Sequence, residues 1–545
     1  MRNFIFTLLA ILLIGPVLSA AEKYDLVIRN GRIVDGSGNA WFYGDVAISG
    51  DRIAAIGPQG SFEAAKEIDA KNQIVAPGFI DVHTHADGDM HNLPKAENFI
   101  RNGVTTIVTG NCGGSVLNVG EYFHKLESHG TTLNVATLIG HNTILREVKG
   151  DKAGDLTPEQ MDRARALVIK AMDEGAVGLS TGLIYTPGKY SDTQEIIELQ
   201  KVAAGFGGIY VSHIRGEGGG IMGAIDEAVR IGFETGSRVQ ISHFKLPMDV
   251  AKKLGGAQAT LGRVMEARER GLEVWLDQYP YTASQTTITT MLPDWVFSGG
   301  RDNAREILKD EQRMKKLMED MRKSHEVSRG RTDLSYAVIS SSSSHPQYVG
   351  KNIKQIAQIR KLKEKKGEDV ELLGLTEDQW PAVTMEDQYR VVIEIAATGN
   401  ASCVYHTMSE DEVKDIMRHP LVSIASDSGV RRFNSGQPHP RGYGTNARVL
   451  GRYVRELQLI TLEDAIRKMT SMPATAFRFS DRGLLRPGYV ADIVVFDPDK
   501  IIDKATFEQP HQYSVGFGYV LVNGEIVLEN DELTGAMPGK PVRRE

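Results

Sequence analysis

Two histidines one residue apart, His83 and His85, close the run Gly78-Phe79-Ile80-Asp81-Val82-His83-Thr84-His85. A β-strand sends alternate side chains to one face, so both imidazoles point the same way and form half of a metal site. By itself the pair is better read as two surface histidines on an edge strand, and it is the residues that follow that favour a metal. Further along, His213 in Val211-Ser212-His213 and His243 in Ile241-Ser242-His243 each end an apolar run, as does Asp427 in Ala425-Ser426-Asp427. Cys112 closes another, in Thr109-Gly110-Asn111-Cys112. Imidazoles, one carboxylate and one thiolate suit Zn2+, in contrast to the all-oxygen shells of calcium and magnesium. Zinc lowers the pKa of bound water to about 7 and polarises a carbonyl. An aspartate beside that water takes its proton and passes it to a leaving nitrogen. The residue types therefore point to metal-assisted hydrolysis.

Such groups work only if separate elements bring them together. Strand candidates recur at Phe79 to His85, Thr105 to Gly110, Leu133 to Ile139, Ala176 to Thr181, Gly208 to His213, Arg238 to His243, Leu272 to Tyr279 and Leu421 to Asp427. Helical patterns such as Met222 to Glu234 and Ala257 to Arg270 lie between them. Eight strands alternating with helices predict an α/β fold, a (β/α)8 TIM-type barrel whose active site lies at the C-terminal strand ends. The chemistry-bearing residues fall at those ends. The barrel is expected over 77–482. The connection before the last strand is too long for one βα unit, so 298–386 reads as an insertion, either a lid over the rim or a solvated decoration. The segments 22–76 and 483–545 are rich in short strands with Gly, Asn and Asp turns, and are expected to meet in one small β-sandwich.

Residues 1–21 read as a signal peptide: Arg2, an apolar stretch from Phe4 to Val17, then Ser19-Ala20-Ala21. The stretch is short for a membrane span and carries Gly15-Pro16. The mature protein is expected in the periplasm or secreted, without a stable membrane anchor. The net charge of −7, with no polybasic tract, argues against nucleic acid as a partner. A small molecule is the expected substrate, and the sequence is silent on oligomeric state. Only Cys112 and Cys403 are present, so in an oxidising compartment a disulfide between them competes with a metal role for Cys112.

His-x-His on the first strand, histidines on the fifth and sixth and an aspartate on the eighth resemble the amidohydrolase superfamily. The stretches Thr109-Gly110-Asn111-Cys112-Gly113, Gly178-Leu179-Ser180-Thr181-Gly182-Leu183, Ser212-His213-Ile214-Arg215-Gly216-Glu217, Tyr279-Pro280-Tyr281 and His439-Pro440-Arg441 resemble its N-acyl-D-amino-acid deacylase (D-aminoacylase) branch over most of the mature chain. Many relatives bridge their metals with a lysine on the fourth strand. Here that strand ends in Ser180-Thr181, and Cys112 looks like the substitute. The resemblance implies a tightly held zinc on Cys112, His213 and His243. It implies a second, weaker site on His83, His85 and Asp427, with Asp427 also the general base and acid. Arg441, Lys245 and Tyr281 (chosen over Tyr279) would hold the α-carboxylate of an N-acyl amino acid, a task suited to a guanidinium fork and an ammonium. His141 is expected either to contact the scissile carbonyl or to be a buried structural residue.

The chain departs from the branch at Ala86-Asp87, where a pair of aspartates is expected. Its loop Val430-Arg431-Arg432-Phe433-Asn434 is unusually basic. Both departures bear on substrate choice rather than reaction type. The expected activity is zinc-dependent hydrolysis of N-acyl-D-amino acids by metal-bound hydroxide. The alternatives are a dipeptidase releasing a C-terminal D-amino acid and a zinc-binding protein without catalysis. A cyclic-amide hydrolase would not need Arg441 in that role.

Overall fold

The computed structural model describes residues 23–366, 375–376, 379–399 and 401–544, so the signal-peptide expectation for 1–21 lies outside the described residues. Eight short strands carry the chain's most continuously buried runs: β1 (Phe79–Asp81), β2 (Val104–Thr109), β3 (Asn134–Thr137 with Ile139–Gly140), β4 (Gly178–Gly182), β5 (Ile209–His213), β6 (Val239–Ile241), β7 (Val274–Gln278) and β8 (Val422–Ile424). All their residues are buried except Trp275, which is half-buried. Burial on both faces is what a parallel sheet covered by helices requires.

Successive strands pair in parallel, β1-β2-β3 and β3-β4-β5-β6-β7-β8. Two seams close the ring. At the first, Leu138 N donates to Thr109 O and Val177 N to Thr137 O, both at 2.9 Å. At the second, Asp427 N donates to His83 O and His85 N to Ser428 O, again at 2.9 Å. The closing seam is thus built from the residues that carry the candidate chemistry.

The two ends of the chain form one nine-stranded sheet. Its junction pairs Ile74–Pro77 antiparallel with Ile493–Phe496, Pro77 opposite Ile493. The sheet encloses its own core, including Ile28, Val46, Ile48, Ile68, Ile493 and Leu521. Asp492, buried in front of that junction, fastens it to the barrel. It accepts from Asn134 Nδ2 at 3.0 Å and Asn523 N at 2.8 Å, and pairs with Arg482 Nη1 at 3.1 Å.

The insertion is larger than the expected 298–386. Strands Ser284–Thr287, Ala337–Ser342 and Ala401–Tyr405 form an antiparallel sheet in which the last is central. A separate core of residues such as Ile288, Ile307, Met321, Ile339 and Val392 packs around it. The excursion therefore opens at Ser284 and closes at Tyr405, because an inserted unit must leave and rejoin the barrel at one place. A strand spelled Ser284-Gln285-Thr286-Thr287 carries no apolar alternation to announce it. Its capped helices are regular; in Met385–Thr398, Thr384 and Asp387 form a reciprocal capping box. Among the described residues no helix is long and apolar enough to cross a membrane.

Candidate active site

A cavity of about 610 Å³ opens at the C-terminal ends of the barrel strands. His85, Cys112, His213, His243 and Asp427 all line it, and His83 is buried beneath them. His213 is the last residue of β5, while the others stand just past β1, β2, β6 and β8. Three of them, Cys112, His243 and Asp427, have positive φ of 52°, 36° and 50°. Left-handed backbone at a non-glycine residue costs about 1–3 kcal/mol and clusters where a side chain must be aimed. Here it swings each donor out of the strand direction into the cavity. The Cys112 turn also needs Gly182, since a Cβ there would sit 2.1 Å from the Cys112 carbonyl oxygen.

The donor atoms converge. Cys112 Sγ lies 3.6 Å from His213 Nδ1, 3.6 Å from His243 Nε2 and 3.4 Å from His83 Nε2. With Zn–N of about 2.0–2.1 Å and Zn–S of about 2.3 Å, a tetrahedral site spaces nitrogen and sulfur ligands roughly 3.6 Å apart. Both thiol–imidazole spacings, to His213 and to His243, match that figure. The nitrogens of those two rings are 2.7 Å apart, a hydrogen-bond distance, and must part to about 3.3 Å to share one tetrahedral ion. On the other side, Asp427 Oδ1 lies 3.0 Å from His85 Nε2 and 3.5 Å from His83 Nε2. Three overlapping trios, with Cys112 in two of them, hold their donor atoms within 4.8 Å of one another.

The electrostatics favour a cation. Burial opposes ionisation of Cys112, yet His83 and His243 hold its thiol well below the usual range. Burial likewise opposes the Asp427 carboxylate, and Arg441, His83 and His85 hold its pKa well down. His85 is pushed up to about 9 against its burial by Asp427 and Cys112. A buried thiolate and carboxylate that draw protons onto their imidazoles are a site short of positive charge, which a metal ion supplies.

Two carboxylates that sequence reasoning missed orient the rings. Asp277 Oδ1 lies 3.0 Å from His83 Nδ1 and accepts from the His243 amide at 2.7 Å, while its Oδ2 accepts from Gln240 Nε2 at 2.8 Å. A proton on His83 Nδ1 directed at Asp277 leaves Nε2 free to face Cys112 and Asp427, the arrangement a ligand needs. Glu217 does the same from the other side. Its Oε1 is 3.1 Å from His243 Nδ1, and its Oε2 is 3.8 Å from His213 Nε2, which is buried without a hydrogen-bond partner among the described residues. A signal existed for both: Asp277 is a lone carboxylate in a buried strand, and Glu217 follows His213 by four residues.

The expected substrate residues divide. Arg441 is buried, with Nη1 2.9 Å from Asp427 Oδ2, and its guanidinium lies 4.6 Å over the Tyr279 ring. Lys245 lines the cavity, paired with Glu217 and 2.8 Å from His243 Nδ1. Tyr281 does not line it: its hydroxyl donates to Asp503 Oδ2 at 3.4 Å, under Arg448. Of the two, Tyr279 is the one at the cavity, with a buried hydroxyl that has no hydrogen-bond partner among the described residues. The turn at Pro280 breaks strand parity, and this corrects the choice between the two. His141 also turns away from the cavity; its Nε2 faces Glu195 Oε1 at 3.1 Å in the buried interior, the placement of the second of its two expected roles, a buried structural residue. Cys112 and Cys403 are both free, so no disulfide joins them.

Comparison with known proteins agrees with this architecture. The model of the Amidohydrolase family matches residues 66–323 and 364–528. The N-acyl-D-glutamate deacylase of Alcaligenes xylosoxydans xylosoxydans is 33% identical, over 96% of this chain and 97% of that protein. The D-aminoacylase of the same organism is 32% identical, over 96% and 99%. The crystal structure of N-acyl-D-glutamate deacylase from Bordetella bronchiseptica, complexed with zinc and a phosphonate inhibitor, superimposes with a TM-score of 0.77 at 33% identity. That match covers 96% of this chain and 100% of the other.

Proposed function

The chain belongs to the Amidohydrolase family, in its N-acyl-D-amino-acid deacylase branch, and from that premise we propose that it hydrolyses the amide bond of N-acyl-D-amino acids to a carboxylate and a free D-amino acid. The observation that carries this reading is the meeting of a thiol, four imidazoles, Asp427 and Arg441 around one cavity. Cys112, His213 and His243 would hold a tight zinc ion, and His83, His85 and Asp427 a weaker one. Bound there, zinc polarises the amide carbonyl and acidifies water.

The remaining work falls to the protein's own groups. Arg441 and Lys245, with Tyr279 behind them, receive the α-carboxylate and fix the amide against the histidine cluster. Substrate binding thereby competes with Asp427 for Arg441 and with Glu217 for Lys245. Asp427 is ionised, as a base must be, and its Oδ1 faces the histidines while Oδ2 faces Arg441. It accepts the proton of the attacking water and returns it to the departing nitrogen, so the leaving group is a neutral amine. The strand Ser284–Thr287 of the insertion lines the same cavity. The preference for D-substrates rests on the likeness to relatives named for them. With 1–21 as an export signal, the enzyme acts outside the cytoplasm.

The test is amino-acid release from matched N-acetyl-D- and N-acetyl-L-amino acids by the full-length mature protein, with and without a zinc chelator. Release from the D-series alone, abolished by chelation and restored by zinc, is expected. Zinc-loaded protein that releases nothing from either series would overturn the reading.

A further inference from the structure

Five cationic side chains border the cavity: Arg146, Lys189, Lys245, Arg431 and Arg441. Four have a carboxylate partner. Arg146 pairs with Asp151, Lys189 with Asp294, Lys245 with Glu217 and Arg441 with Asp427. Arg431 makes no ion pair among the described residues; burial and the neighbouring Arg441 disfavour its charge, and Asp89 and Asp427 favour it only from beyond ion-pair distance.

Arg431 is held in place. Its amide donates to Asn98 Oδ1 and its Nε to Ser428 Oγ, each at 3.0 Å. Asn98 and Ser428 are themselves buried. Asn98 Nδ2 in turn donates to the Gly442 carbonyl at 2.8 Å, so the loop bearing Arg431 is tied to the turn bearing Arg441. The shank of Arg431 crosses Gly442, where a Cβ would approach Nε to 3.2 Å. With the amide and Nε occupied by protein acceptors, the terminal guanidinium nitrogens are the part left to meet a ligand.

We propose that Arg431 binds a second carboxylate of the substrate, and that the preferred substrates are N-acyl-D-amino acids with acidic side chains. The inference rests on the amidase reading, in which Arg441 and Lys245 take the α-carboxylate. A planar guanidinium accepts a carboxylate through two parallel hydrogen bonds, and partial burial strengthens the pairing. A neutral side chain leaves this half-buried cation without an ion pair, so the same residue that selects acidic substrates disfavours apolar ones.

The experiment compares kcat/KM of the zinc-loaded full chain for N-acetyl-D-glutamate and for N-acetyl-D-glutamine, its neutral isostere, with N-acetyl-D-leucine as the apolar case. Wild type, Arg431→Gln and Arg431→Lys are each assayed. Taking the ratio within one preparation cancels differences in active fraction. The glutamate-to-glutamine ratio is expected to exceed about tenfold in wild type, to collapse in Arg431→Gln and to recover in part in Arg431→Lys, the range of a charged hydrogen bond. Turnover of glutamine and leucine substrates at rates equal to or above glutamate refutes the Arg431 assignment and leaves the amidase intact. A ratio unchanged in Arg431→Gln also refutes it. No turnover of any N-acyl-D-amino acid refutes both.

Discussion

Replacing Glu217 tests whether the ring orientations described above govern metal binding. His243 Nδ1 has two neighbours, Glu217 Oε1 at 3.1 Å and Lys245 Nζ at 2.8 Å. They ask for opposite proton placements. The carboxylate accepts from an Nδ1–H, which leaves the Nε2 lone pair directed at Cys112 and His213. The ammonium donates to an Nδ1 lone pair, which puts the proton on Nε2 and removes it as a ligand. In Glu217→Ala only Lys245 remains, so zinc affinity is expected to fall about 10–100-fold, the usual effect of losing a group that orients a ligating histidine. That is about 1.4–2.7 kcal/mol. In Glu217→Ala/Lys245→Met nothing donates to Nδ1, and affinity is expected to recover part of the loss. Zinc affinity is read by competition against a chromophoric chelator, with circular dichroism of each variant to verify folding. Wild-type affinity in Glu217→Ala, or a double variant no tighter than the single one, would refute the tautomer argument.

Three further outcomes follow from the geometry. Asp427→Asn is expected to lower kcat about 10²–10⁴-fold through loss of the proton acceptor, measured as amino-acid release at saturating substrate. His325, buried in the insertion with Nε2 donating to Met291 O at 3.1 Å, is lowered to about 4 by burial. Its neutral form is the one the fold keeps, so its contribution is full above pH 6.5 and is lost as pH falls from 6.5 towards 4, by roughly 3 kcal/mol at most. Urea unfolding across that range should show the loss in wild type and a flatter profile in His325→Gln. Asp492→Ala removes the acceptor of Asn134 and of the Asn523 amide and leaves half-buried Arg482 with Asp481 as its one carboxylate partner among the described residues, and is expected to cost about 1–3 kcal/mol, read as a fall in Tm.

The barrel and the positions of its chemistry were legible because strand ends in a (β/α)8 ring share one rim. A residue's place in the sequence therefore fixes which side of the molecule it serves. Distances were not legible. Period-two reasoning put His83 and His85 on one face but said nothing of Asp277, which reaches His83 from a strand almost two hundred residues away. It also failed beyond the strand ends. Tyr279 and Tyr281 share a parity, and only the turn at Pro280 separates the one at the cavity from the one bonded to Asp503. The insertion's limits were hidden for a different reason. Its first strand is polar, and its pairing partners lie far along the chain.

The nine-stranded terminal sheet sets the order in which this protein can be completed. Strand Ile74–Pro77 is made early but meets Ile493–Phe496 only when nearly the whole chain exists. Until then it is an open edge, available to other chains, and the barrel it precedes lacks the Asp492 anchor. Such long-range pairing slows folding and discourages piecewise maturation from the N-terminus. A chain cut short before Ile493 therefore loses more than a terminal ornament: Ile74–Pro77, which leads directly into the barrel, is left without its antiparallel partner.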